Sequence, residues 1–309
     1  MFDVNWDVVR RLLWTVFAVY LLLTATFFAL ALTPDPNAWL IGFTGGPEAV
    51  EAYEQRRGLD EPITQRYVDW LVGFSTFDWG YSFAYERPVE AVVSERLPVT
   101  LGYLVPSVVL ATVASVVAGV VSALRRGSWV DRATSGLSAV GLAVPAFLLA
   151  VAFAALFQPP EYDTTRGLLA AQNLHALAYP TVVLGLNLFA VQSWAVRAEA
   201  VEIVPAEFVK TLRANGAGGR RIARHVAKNA AAPVFALVVS EIFVLLVVST
   251  YVVELVFGLP GFAAASFVGF QDRDYGLVLA AVVLPTLFAL LGNLGKDLLT
   301  AALDPRVDS

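Results

Sequence analysis

Six stretches with almost no charge constrain the fold of this chain more than any other feature. Each is long enough for an α-helix to cross a hydrocarbon core, which takes roughly 20 residues. The stretches are Leu12 to Thr33, Leu101 to Leu124, Ala133 to Phe157, Ala176 to Val196, Ala230 to Val253 and Gly276 to Gly295. The 58% share of hydrophobic residues also exceeds that of a typical soluble domain. The sequence therefore predicts an all-α polytopic membrane protein with six transmembrane helices.

The distribution of Lys and Arg predicts how these helices are oriented. If the N-terminus is cytoplasmic, fourteen of the 21 basic residues lie on the inner side. Inner loops of membrane proteins carry an excess of positive charge, so both termini are predicted to be cytoplasmic and the chain to be a multi-pass protein of the plasma membrane. Arg10 and Arg11 precede a first apolar run that is too long for a usual signal core, so we interpret this run as a retained helix.

A long outer segment follows the first helix and carries its own helix signals. A helix is expected from Pro47 to Arg57, ended by Gly58, and a second one from Glu61-Pro62 with apolar residues on one face. The TPDPN stretch, Thr33 to Asn37, is expected to be an irregular turn. Amphipathic helices of this kind lie at membrane interfaces. The many acidic residues here fit two interpretations, adaptation to high external salt or an ordinary acidic surface. We assign residues 1–98 to the first helix and this segment, and residues 99–309 to a five-helix core.

The basic stretch from Arg197 to Pro233 is the most structured of the predicted loops. Pro205 suits the first position of a short helix, and Gly216 suits a left-handed cap after it. A return helix is expected from about Gly219. Two interpretations stay open from the charges alone: a loop held at the anionic inner leaflet, or a docking surface for another protein.

Several residues inside the predicted spans are candidates for a translocation pathway. Pro145 removes a helix hydrogen bond in the third span and should kink it. Glu241 stands alone in an apolar run, where a carboxylate is costly, so it either serves the pathway or is a structural carboxylate bonded to a neighbouring helix. The amides Asn187, Gln192 and Asn293 are weaker candidates, because such side chains usually bond across a bundle.

The sequence lacks the patterns of an enzyme. It has no glycine-rich phosphate loop ending in Lys and Ser or Thr, and its two histidines, His175 and His225, have no ligand spacing around them. We therefore expect a non-catalytic chain that binds no cofactor, metal ion or nucleic acid.

Motifs in a consistent order along nearly the whole chain resemble one family, the six-helix permease subunits of binding-protein-dependent ABC importers in the dipeptide, oligopeptide and nickel branch. The motifs are RGLDEPITQRYVDWLVG (57–73), DWGYS (78–82), RGSWVDR (126–132), YPTVVLG (179–185), FVKTLRANGAGGRRIARHVAKNAAAP (208–233), ELVFGLPG (254–261), RDYGLV (273–278) and LDPR (303–306). Leu212 and Asn215 depart from the small residue and the Lys of the family pattern, and Asp35-Pro36 keeps only part of another motif.

The resemblance implies a role for the basic loop, residues 197–229, as the coupling loop that fits a groove on a separate ATPase subunit. Its implied contact residues are Glu207, Phe208, Lys210, Thr211, Arg213, Ala214, Asn215, Gly216, Arg220, Arg221, His225 and Asn229. An outer gate is a further expectation, against the alternative of a simple helix cap and loop, with Glu254, Gly258, Pro260 and Gly261 as its residues.

The resemblance also implies partners. They are a second homologous permease subunit, two cytoplasmic ATPase subunits that bind ATP and Mg²⁺, an extracellular solute-binding protein and the lipid bilayer. Peptides, nickel complexes and oligosaccharides all stay open as substrates. Two other functions are alternatives: a stand-alone channel or secondary transporter, which predicts inverted repeats and paired midplane charges, and a membrane scaffold that docks a cytoplasmic regulator.

Overall fold

The structure is a computed structural model that describes residues 6–33, 36–244 and 249–303. Helices dominate these residues, and one short hairpin joins two of them. The elements in chain order are α1 (Trp6–Leu32), α2 (Pro36–Arg56), α3 (Ile63–Ser75), β1 (Tyr81–Ser82), β2 (Arg87–Pro88), α4 (Val89–Leu124), α5 (Trp129–Ala143), α6 (Ala146–Phe157), α7 (Ala171–Ile203), α8 (Glu207–Ala214), α9 (Gly219–Val244), α10 (Thr250–Phe257), α11 (Phe262–Gln271) and α12 (Tyr275–Leu303).

Among the described residues, three helices are long and apolar enough to cross a membrane: α4, α7 and the 275–293 part of α12. They contain the second, fourth and most of the sixth predicted spans. Three bent helix pairs bring the number of candidate spans to as many as six: α5 with α6, the two halves of α9, and α10 with α11. A polytopic membrane protein is thereby supported, whereas the exact number of spans and the side on which the termini lie stay predictions.

Prolines account for two of the bends. Pro145 was expected to kink the third span, and instead it separates α5 from α6, which meet at 96°. It occupies the N-cap of α6 in an extended conformation, because a residue without an N–H cannot continue the hydrogen-bond ladder of α5. Pro233 is the first residue of the second half of α9, which meets the first half, Gly219–Ala231, at 55°.

The chain divides into two compact units. Unit 1 comprises Met1–Leu97 with Gly261–Leu287, and unit 2 comprises Pro98–Pro260 with Phe288–Ser309. In unit 1 the core is formed by the start of α4, α11 and α12, with Val89, Phe262 and Leu277 buried. The predicted domains of residues 1–98 and 99–309 are not tested by this division and stay a prediction.

The structure agrees in part with the helices and the turn that the sequence predicted for the outer segment of unit 1. Gly58 ends α2 with a left-handed φ of 62°, and α3 begins directly after Pro62. The irregular turn predicted for Thr33 to Asn37 was too long. Pro36 is already the first residue of α2, where its missing N–H costs no hydrogen bond. Asp35 lies outside the described residues.

The hairpin of β1 and β2 was not predicted, and a carboxylate fixes it to α12. Asp274 is almost fully buried and accepts hydrogen bonds from the Ser82 hydroxyl at 2.7 Å and the Ala84 N–H at 3.2 Å. The same side chain accepts the Leu277 N–H at 3.3 Å, which caps the first turn of α12. Two of the motifs noted above, DWGYS and RDYGLV, therefore meet through one carboxylate.

Candidate functional site: the coupling loop and the polar clusters of unit 2

The predicted coupling loop contains a short helix, α8. It begins at Glu207 rather than Pro205, because Ala206 is extended and serves as the N-cap while its N–H bonds the Ile203 carbonyl at 3.0 Å. Pro205 thus lies in the turn that follows α7, and the sequence expectation was wrong by two residues. Glu207 and Arg213 stand at the N- and C-terminal ends that suit their charges.

A tight turn after α8 reverses the chain into α9. Gly216 has a φ of 74°, a conformation that costs other L-residues roughly 1–2 kcal/mol. The Ala217 N–H bonds the Leu212 carbonyl at 2.9 Å and the Gly216 N–H bonds the Arg213 carbonyl at 3.0 Å, which together form a Schellman motif. The return helix begins at Gly219, as predicted.

One face of the loop is anchored in the core of unit 2. Val209, from α8, is fully buried, as is Val226 from α9. The buried residues around them come from α4, α7 and α9: Val120, Ala123, Val196, Ala200, Ile222, Ala230, Val234 and Val238. Because four helices contribute to one apolar cluster, a displacement of α8 has to be shared by its neighbours.

The opposite face is open to solvent and carries the predicted contact residues. Of these twelve side chains, His225 is half-buried and the others are exposed. Lys210 and Glu207 form an exposed ion pair at 2.6 Å, and Asn229 donates to the His225 carbonyl at 2.8 Å. The geometry leaves a basic, partly apolar surface, but the roles of its residues stay predictions.

A partly buried ion pair lies at the start of this loop, and sequence reasoning missed it. Arg197 donates to both carboxylate oxygens of Asp131, at 2.6 and 3.2 Å. The same carboxylate accepts the Ser122 hydroxyl and the Gly127 N–H, the latter at 2.8 Å. The pair therefore ties α7 to the end of α4, the turn after it and the start of α5. Asp131 belongs to the RGSWVDR motif, which was the only sequence signal.

The candidate pathway residues do not form one site. The carboxylate of Glu241 accepts the Gln192 amide at 2.7 Å, and Gln192 in turn accepts the Ser115 hydroxyl at 3.2 Å. In the described part of the chain, the second oxygen of Glu241 has no hydrogen-bond partner. Asn187 lies near the break at Pro145, with its amide 3.5 Å from two carbonyls of α5 and its C-cap, at the limit of a hydrogen bond. Asn293 is exposed.

One of the four candidate gate residues is a buried carboxylate. Glu254 is 1% exposed and accepts hydrogen bonds from Thr100 at 2.5 Å and from Tyr103 at 2.9 Å. Gly258 has a φ of 62° and ends α10, with Pro260 in the segment after it and Gly261 as the N-cap of α11. These positions combine a helix cap with a buried polar cluster, and their role as a gate stays a prediction. Among the described residues no group of three or more His, Asp or Glu side chains could hold a metal ion.

Apolar helices and bent helix pairs of membrane-spanning length are the features of a polytopic membrane protein. The sequence identifies the family. The chain belongs to the binding-protein-dependent transport system inner membrane components, whose family model matches residues 115–309. The model of the N-terminal part of such components matches residues 6–104.

Curated relatives agree with this assignment. The chain is similar to an oligopeptide transport system permease protein, OppB, of Escherichia coli (strain K12), with 30% identity over 306 residues that cover 97% of this chain and 98% of the relative. It is also similar to a putative peptide transport system permease protein of Brucella abortus (strain 2308), with 29% identity over 295 residues that cover 91% and 92% of the two chains. The chain is therefore a membrane-integral permease subunit, a class that is generally non-catalytic.

Proposed function

We propose that this chain forms part of the translocation pathway of an ATP-driven importer for peptides or similar small solutes. An extracellular binding protein delivers the solute, a second homologous permease completes the pathway, and two cytoplasmic ATPase subunits supply the energy. The plasma membrane is the proposed location. The peptide class comes from the names of the relatives, which are oligopeptide and peptide permeases.

The observation that carries the proposal is the two-sided construction of α8. Val209 is fully buried, whereas Phe208 beside it is 39% exposed. An exposed aromatic residue among basic side chains provides the apolar anchor and the charged surroundings that are typical of interface hot spots. A loop that contacted only lipid headgroups would need the charges, but it would not need a rigid turn or a helix packed against three neighbouring helices.

Two matched glycines provide the test. In Gly216→Ala a side chain enters a left-handed position, so the turn is destabilised by roughly 1–2 kcal/mol. Gly218→Ala is the control, because Gly218 does not have a positive φ and a Cβ there meets no atom within 4 Å. Both variants would be purified with their ATPase and permease partners and reconstituted in proteoliposomes with the binding protein.

We expect Gly216→Ala to lower the amount of solute taken up per ATP hydrolysed, while Gly218→Ala equals the wild type. The same preparations also test the alternatives. Reproducible absence of an ATPase subunit after mild purification would refute the importer and favour a stand-alone channel or transporter. If the two variants take up the same amount of solute per ATP hydrolysed, the proposal that the loop docks an ATPase subunit is wrong.

A further inference from the structure

Unit 1 contains a pocket of about 230 Å³ that the coupling loop and the pathway do not explain. Three arginines line it, Arg57, Arg66 and Arg273, together with the carboxylates of Glu61 and Asp69. The remaining wall is largely aromatic, with Phe27, Trp70, Tyr81, Phe83 and Tyr275. A pocket of this size is smaller than typical drug-binding pockets and suits a small polar group.

The contacts that hold Arg57 in place are not ion pairs. The guanidinium of Arg57 lies 5.0 Å from the ring centre of Tyr53 and 5.1 Å from that of Phe83. Its Nη1 donates to the carbonyls of Asp272 and Arg273 at 2.9 and 3.2 Å. Arg57 is therefore oriented before anything binds, which lowers the entropy lost in recognising an anion.

Each of the other two arginines makes one of these two kinds of contact. Arg66 lies 5.3 Å from the ring centre of Tyr275, and Nη1 of Arg273 donates to the Thr33 carbonyl at 2.8 Å. Where the structure describes the chain, none of the three forms a salt bridge, although acidic residues outnumber basic ones by 26 to 21. Several guanidinium groups that line one pocket without forming a salt bridge are typical of a site for a phosphate or carboxylate.

The position of the pocket indicates which anion it meets. Tyr275 is the first residue of the candidate span 275–293, and Phe27 lies little more than one turn before the end of α1. Trp70 belongs to α3, the predicted interfacial helix. Tryptophan and tyrosine at the ends of membrane spans lie at the level of the lipid headgroups.

We propose that this pocket binds the headgroup of a phospholipid that carries a phosphate and a primary ammonium. The phosphate interacts with the guanidinium groups of Arg57, Arg66 and Arg273, and the ammonium with Glu61 and Asp69. Both carboxylates are exposed and form no ion pair within the described ranges. A trimethylated headgroup has no N–H to donate to them, and a glycerol headgroup has no cation, so the pocket discriminates among lipids.

The test uses the full chain in nanodiscs that contain equal amounts of phosphatidylethanolamine, phosphatidylcholine and phosphatidylglycerol with the same acyl chains. Native mass spectrometry measures which lipid stays bound. We expect phosphatidylethanolamine to be retained about tenfold over the other two, since a charge-assisted hydrogen bond contributes about that factor. Arg66→Gln should abolish retention of all three lipids, and the double variant Glu61→Gln/Asp69→Asn should abolish only the preference.

Matched controls separate the pocket from general charge effects. Arg56→Gln removes an exposed arginine next to Arg57, and Glu51→Gln removes an exposed carboxylate of the same helix. Retention as in the wild type is expected for both. The proposal is overturned if Arg66→Gln retains lipid like Arg56→Gln, or if the double variant keeps the preference. It is also overturned if water-soluble glycerophosphoethanolamine competes the lipid away at equal concentration, because the site would then take a soluble phosphate and not a membrane lipid.

Discussion

The ion pair of Asp131 and Arg197 allows a direct test of how much one contact between helices contributes to stability. Arg197→Met keeps most of the side-chain volume and removes the guanidinium from a carboxylate that is only 8% exposed. Breaking a buried pair from one side costs about 3–5 kcal/mol, because the remaining charge stays buried without its partner. Arg197 itself is 28% exposed, so the lower end of that range, about 3 kcal/mol, is expected.

The double variant separates the pair from its surroundings. In Asp131→Asn/Arg197→Met no uncompensated charge remains, so this protein should be more stable than the sum of the single variants predicts, by about 2 kcal/mol. For a chain of this size about 2 °C of melting temperature corresponds to 1 kcal/mol, so Arg197→Met should melt about 6 °C lower. The assay is thermal unfolding in nanodiscs at a fixed scan rate, since membrane-protein unfolding is often irreversible.

Arg132, which follows Asp131 at the start of α5, provides the control for this prediction. Arg132→Met removes an exposed arginine next to Asp131 and should change stability by no more than about 0.5 kcal/mol. If the two single variants add within about 0.5 kcal/mol in the double variant, the carboxylate and the guanidinium do not depend on each other. The proposed link of α7 to α4 and α5 would then be wrong.

Two further changes test packing and a buried polar cluster by the same melting assay. Gly276→Ala places a Cβ 2.5 Å from Cγ2 of Val89, so about 1–3 kcal/mol of stability should be lost. Gly167→Ala is the control and should be neutral, because a Cβ there meets no atom within 4 Å. Equal melting temperatures of the two variants would contradict the close contact between the helices. Tyr103→Phe removes the 2.9 Å hydrogen bond to Glu254 and should cost about 2 kcal/mol; unchanged melting would show that this bond adds nothing to stability.

Features with a local cause were the ones that the sequence predicted. The second, fourth and sixth apolar runs coincide with single helices long enough to cross a membrane, because a helix satisfies its backbone polar groups within one segment. The turn at Gly216 follows from a single residue that tolerates a positive φ. The break at Pro145 was expected in position but not in size, since the angle between α5 and α6 depends on what each half packs against.

Features that depend on distant residues were missed. Arg197 was counted only as an inner positive charge, and its partner Asp131 lies 66 residues earlier in the chain. The start of α8 was misplaced because Pro205 is equally suited to the turn that ends α7. Neither result can be read from residue type and spacing, because each depends on which helices become neighbours.

The motifs that mark the family divide into two physical kinds once their contacts are known. Asp131, Glu254 and Asp274 each supply a buried carboxylate whose partners come from another segment, so these motifs hold the fold together. In the predicted coupling loop Val209 is the buried anchor, while Phe208 and the basic residues around it are exposed. Because they are buried, the carboxylates of the first kind contribute to the fold itself. The exposed residues contribute little to this chain's own fold, and this contrast is the physical reason for placing the partner surface there.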